Sequence, residues 1–119
     1  METFIQAIDK DIRDMTVQEL KRERQVHKWE ARKVERGLVY LQKRLEWLQE
    51  NKPLHDMEEI NGKRERGEIS SDQYWSLFSQ QGRRIQMFRQ VEDKMEYANR
   101  LSTHERAVIK LIEEQIEET

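Results

Sequence analysis

Cysteine is absent from the chain. That removes disulfides, thiolate metal sites and thiol nucleophiles together, and it fits a reducing compartment. Proline occurs once and glycine four times, so few positions can be turns and most others are free to be helical. Apolar residues are scarce too, 35% against 39% for Asp, Glu, Lys and Arg. That is too few for a thick α/β core but suits thin helices that each bury one stripe. No sign of charge dominates: 22 Lys and Arg face 24 Asp and Glu. The whole chain therefore has no field to draw in a polyanion, and any nucleic-acid binding is expected to be local. The first residues, METFIQAIDKDIRD, hold acidic groups and no long apolar run. Neither a signal peptide nor a membrane anchor is expected there, and a cytoplasmic protein is the default.

What the chain does have is helical periodicity, and the spacing predicts helices over about 3–14, 17–50, 54–65, 71–100 and 103–117 within one domain, 1–119. Phe4, Ile5, Ile8, Ile12 and Met15 share one face of the first, which is too short to be stable without packing. Thr16 and Glu19 form a capping box for the second. There Arg24, Ala31, Leu38 and Leu45 take heptad position a, and Leu20, His27, Val34, Leu41 and Leu48 take position d. This helix would be roughly 50 Å long, more than a compact chain of this size surrounds, so other helices or a second copy must pack along it. Its seam is Leu-rich toward the C-terminus and polar toward the N-terminus. Val26, Tyr40 and Trp47 at position c are expected to widen the packed face beyond a two-stranded coil.

Pro53 ends that helix and can begin the next at its first position, with Leu54, Met57 and Ile60 as a short apolar face. Gly67, Ile69 and the Ser70–Gln73 capping box predict a tight corner. The helix beyond it carries Tyr74, Phe78, Gln81, Ile85, Phe88, Val91, Met95 and Ala98. The step Phe88–Val91–Met95 departs from a strict heptad. Gly37 and Gly82 interrupt the two long helices and are read either as close crossings or as solvent-facing positions with no role. Ser102 with Glu105 predicts a fresh start before Val108, Ile109, Leu111, Ile112 and Ile116. The acidic end, Glu113, Glu114, Glu117 and Glu118, opposes the helix dipole unless something basic covers it.

No catalytic or metal constellation stands out. His27, His55 and His104 fall in three different helices, without the HxxxH or HExxH spacing a zinc site requires. The acidic groups are read as solvated faces, so no catalytic residue, cofactor or metal is assigned and no enzyme is expected. The feature above background is a basic row at i,i+4, Arg24, Lys28, Arg32 and Arg36. Like charges at that spacing repel unless something negative sits opposite, so the row reads as a solvated face, as a match for an acidic protein surface, or as a contact for DNA phosphate. Lys63, Arg64 and Arg66, and again Arg83, Arg84 and Arg89, are smaller patches read as ordinary surface.

The stretch Leu101–Leu111, LSTHERAVIKL, is similar to the start of the C-terminal DNA-binding region of sigma-factor-like regulators, including small phage transcriptional activators. In those proteins a leucine-serine turn and an ERxVIxL helix lead into a helix-turn-helix. The resemblance covers about a tenth of the chain and implies DNA binding near His104. The Gly-containing turn and recognition helix of that pattern do not follow here, where IEEQIEET stands instead.

These readings combine into an expectation: an all-α, elongated helical bundle or helical hairpin with coiled-coil character, homo-oligomeric and without a membrane span. It would act by binding another protein as an adaptor, regulator or assembly factor, a description that covers cellular regulators and viral accessory factors alike. Leu38, Leu41, Leu45, Leu48 and Trp47 would supply apolar contact, and Arg24, Lys28 and Arg32 partner choice. The alternative is a small DNA-associated transcriptional regulator using Arg24, Lys28, Arg32 and Arg36.

Overall fold

The computed structural model describes residues 11–119. Those residues form an all-helical bundle with no strand among them. Its helices are α1, Val17–Asn51; α2, Met57–Glu65; and α3, Ser71–Glu118. Residues 11–13 are helical as well; Phe4, Ile5 and Ile8 of the expected opening face lie outside the described residues. No helix among the described residues is long and apolar enough to cross a membrane. The chain divides into two compact units, one comprising the residues up to Val39 together with Glu96–Thr119, the other Tyr40–Met95.

In the first unit the capping box forms as the sequence implies. The Glu19 amide donates to Thr16 Oγ1 at 3.2 Å and the Thr16 amide to Glu19 Oε1 at 3.4 Å, satisfying donors that the start of α1 would otherwise leave free. Ile12, Leu20, Val108 and Ile112 make a buried cluster on which Met15, Leu111 and Ile116 pack. Two ion pairs fix the direction of the helices here. Lys28 Nζ lies 3.6 Å from Glu113 Oε1. Seven residues further along α1, Glu35 Oε1 meets Arg106 Nη2 at 2.6 Å, seven residues back along α3. A forward step in one helix is matched by an equal backward step in the other, so α1 and α3 run antiparallel in this unit.

In the second unit Leu48, Ile60, Tyr74 and Val91 are buried. Helix α2 begins later than Pro53 suggests. Asp56 is its N-cap, its carboxylate accepting from the amides of Glu58 and Glu59 at 3.1 and 3.3 Å, which makes a start at Pro53 unnecessary. Residues 53–55 instead run as a non-helical link bonded to α3. The His55 amide donates to Gln81 Oε1 at 2.7 Å, Gln81 Nε2 returns a bond to the His55 carbonyl at 3.2 Å, and Arg84 donates to the Pro53 carbonyl at 2.6 Å.

The corner between α2 and α3 follows its residues closely. Gly67 sits at φ +75°, the left-handed region that costs a side chain about 1–2 kcal/mol. The Gly67 amide donates to the Arg64 carbonyl and the Glu68 amide to the Lys63 carbonyl, at 3.1 and 2.9 Å, the double bond pattern of a glycine-terminated helix. Across the turn Arg66 Nε reaches Glu68 Oε1 at 3.1 Å. That hydrogen bond, and then the guanidinium charge, hold the Glu68 carboxyl below its ordinary pKa, and the carboxylate in turn raises that of Arg66. Ser70 and Gln73 exchange capping bonds at 2.8 and 3.1 Å and open α3.

The structure corrects three further expectations. Helix α3 does not stop before Ser102; it is continuous from Ser71 to Glu118. No Gly or Pro follows Gly82, so nothing in the backbone obliges a break, and Ser102 and Glu105 are half-buried within the helix. The step Phe88–Val91–Met95 does not interrupt the protected side of α3 either. Tyr74, Leu77, Gln81, Arg84, Phe88, Val91, Met95, Ala98, Ser102, Glu105, Ile109, Ile112 and Ile116 are all buried or half-buried at alternating steps of three and four, whereas Phe78 is exposed. Finally, Gly37 and Gly82 mark no crossing, since a Cβ at either would meet nothing within 4 Å.

Candidate protein-interaction surface

On α1 the nine heptad positions, Leu20, Arg24, His27, Ala31, Val34, Leu38, Leu41, Leu45 and Leu48, are all buried or half-buried. Leu48 is fully enclosed, while Leu38, Leu41 and Leu45 keep part of their surface in solvent. The polar half of the stripe is occupied within the first unit. His27 Nδ1 lies 2.5 Å from Glu105 Oε2, and His27 Nε2 lies 3.6 Å from Glu23 Oε2.

The basic row separates into two parts. Arg24 and Lys28 are half-buried, with Lys28 facing Glu113, whereas Arg32 and Arg36 are exposed and make no ion pair among the described residues. The reason is geometric. Steps of four overshoot a 3.6-residue turn by about 40°, so the row rolls from the packed side toward solvent. The acidic end of α3 supplies the counter-charge for its first part, and Arg13 lines a cavity together with Glu114 and Glu118.

The position-c row does not widen the packed face. Val26, Tyr40 and Trp47 are exposed. They belong to a wider pattern that the sequence reading missed: all three tryptophans of the chain lie at the surface, Trp29 57%, Trp47 43% and Trp75 50% exposed. Each stands beside a cation. Lys33 Nζ is 5.3 Å from the ring centroid of Trp29, Arg44 Cζ 4.8 Å from that of Trp47, and Arg64 Cζ 5.5 Å from that of Trp75. In the second unit Tyr74 and Phe78 pack on Trp75 edge to face, at 5.2 and 5.5 Å between centroids, with Arg64 also over Tyr74 at 4.2 Å. Exposed rings with a cation at each are attractive to a partner in two ways, through apolar area and through charge. The signal was present in the sequence as Trp29, which falls outside both seam rows of α1.

Among the described residues no three His, Asp or Glu side chains are grouped to hold a metal ion. In comparisons with known proteins the chain matches no family model, no curated protein and no solved structure.

Proposed function

We propose that the chain is a non-enzymatic protein-interaction module of the cytoplasm, an adaptor, regulator or assembly factor, which self-associates and binds another protein. The exposure of Trp29, Trp47 and Trp75 carries this reading. Tryptophan is largely buried on average, and a chain with only 35% apolar residues forgoes much of its available core by leaving all three outside. Trp and Arg are also the residues that most often dominate binding energy at interfaces. On α1, Trp29 with Arg32, Lys33 and Arg36 offers apolar area within a basic rim, which favours an acidic protein partner. The heptad stripes of α1 and α3 support a coiled-coil seam, and the solvent-reached edges of Leu38, Leu41 and Leu45 give a second copy somewhere to pack.

Sedimentation at tens of micromolar tests the self-association. A mass of two or more times 14.6 kDa is expected, and a monodisperse monomer removes that part of the reading. DNA association is the second reading, favoured by Arg32 and Arg36, which are exposed and make no ion pair with a described residue. It requires salt-sensitive duplex binding that weakens when those two residues lose their charge. A chain that ignores duplex DNA at low salt excludes it.

A further inference from the structure

In the second unit a cavity of about 220 Å³ is lined by Lys52, Gln80, Arg83, Arg84 and Met87. Three of these five residues are cations and none is a carboxylate. Neither Lys52, Arg83 nor Arg84 makes an ion pair with a described residue, and Lys52 and Arg84 are half-buried. Cations brought together without a counter-charge repel one another, and partial burial strengthens the repulsion. The fold nevertheless holds them there. Arg84 spends one of its five donors on the Pro53 carbonyl at 2.6 Å, which fixes its side chain and leaves the others available. Gln80 accepts from His55 Nε2 through its carbonyl at 2.7 Å, so its amide group is left as a donor. The side-chain donors left on the wall are thus two guanidinium groups, an ammonium and an amide. Most of the wall's exposed area is apolar, and Met87 contributes to it.

Three cations without a described counter-charge ask for a ligand rich in acceptors and negative charge. We infer that this cavity is a binding site for a small phosphate-class anion, a phosphomonoester or a pyrophosphate. Such an oxyanion offers three or more acceptor oxygens, matches the fork of Arg83 or Arg84, and neutralises the three cations. At about 220 Å³ the space is enough for a phosphoryl group with a substituent but not for a folded partner. The assignment rests on residues other than the tryptophans and does not depend on the proposed interaction surface.

The test is a titration of the full chain with inorganic phosphate and, separately, pyrophosphate at low ionic strength, read by amide and arginine side-chain NMR. Saturable shifts confined to residues 52–55 and 80–87 are expected. Arg83→Gln and Lys52→Gln should each weaken binding by about tenfold, with Arg83→Lys intermediate and an unchanged circular dichroism spectrum in every variant. No saturable shift at millimolar pyrophosphate overturns the assignment. So do shifts of equal affinity at Arg32 and Arg36, which would mean unspecific screening, and so does tight binding of duplex DNA at this cavity that pyrophosphate cannot displace.

Discussion

Gly37→Ala and Gly82→Ala should stabilise the protein. Both residues lie inside long helices, at exposed positions where an added Cβ meets nothing within 4 Å. The substitution therefore adds no clash and only removes the helix penalty of glycine, about 1 kcal/mol at each site. The two positions lie on different helices in different units, so the gains should add to about 2 kcal/mol. For a chain of this length that corresponds to a rise in Tm of roughly 8 °C. Urea unfolding followed by circular dichroism is the assay: the midpoint should rise for each single variant and further for the pair, with the slope unchanged. A fall in midpoint for either variant would refute the reasoning. It would mean that the apparent open space beside that glycine is filled in solution, by a second copy of the chain or by another helix.

Gly67→Ala should act in the opposite sense, destabilising by about 1–2 kcal/mol, because its positive φ strains any side chain; an unchanged urea midpoint would mean the corner can rearrange. Leu20→Ala, at a position with no exposed surface, should cost about 2–5 kcal/mol, whereas Trp29→Ala should stay within about 0.5 kcal/mol. Comparable losses for the two would contradict the placement of the core. The Glu68 carboxyl, lowered by Arg66, should titrate by carbon-detected NMR below the ordinary glutamate range and return toward it in Arg66→Gln. Because its folded pKa is depressed, any stability it adds is present at neutral pH and lost as pH falls through that value. Both groups are at the surface, so the midpoint should shift little in acid.

Much of α1 could be read from its residues. Its seam positions alternate at three and four, and all nine are buried or half-buried, although Glu23, Lys28, Glu30 and Glu35 at the edge of the stripe are half-buried too. The seam of α3 was harder to see because apolar size misleads there. Phe78 attracts the eye but is exposed, whereas Leu77, Arg84 and Ile85 are half-buried. Gln81, Arg84 and Glu105 belong to the seam through hydrogen bonds to His55, Pro53 and His27, partners that hydrophobicity cannot announce. Ser102 and Glu105 illustrate a further ambiguity, since a capping box and two successive seam positions share a spacing of three. Only the absence of any Gly or Pro after Gly82 distinguishes a helix start from a helix interior. The exposed tryptophans were equally obscure, because a Trp near a seam reads as core until the width of the packed stripe is known. The donor-lined cavity depends on contacts between the link after α1 and α3, and Arg83 and Arg84 alone look like ordinary surface.

The most direct test of the interaction reading places a photoreactive phenylalanine analogue at Trp29 in cells that make the protein, with the same residue at exposed Glu92 as a control. The account predicts discrete protein adducts from position 29, absent at position 92 and reduced when Arg32 and Arg36 become Gln, containing a second copy of the chain or an acidic protein partner. No adduct from position 29, or adducts only to nucleic acid, would contradict it.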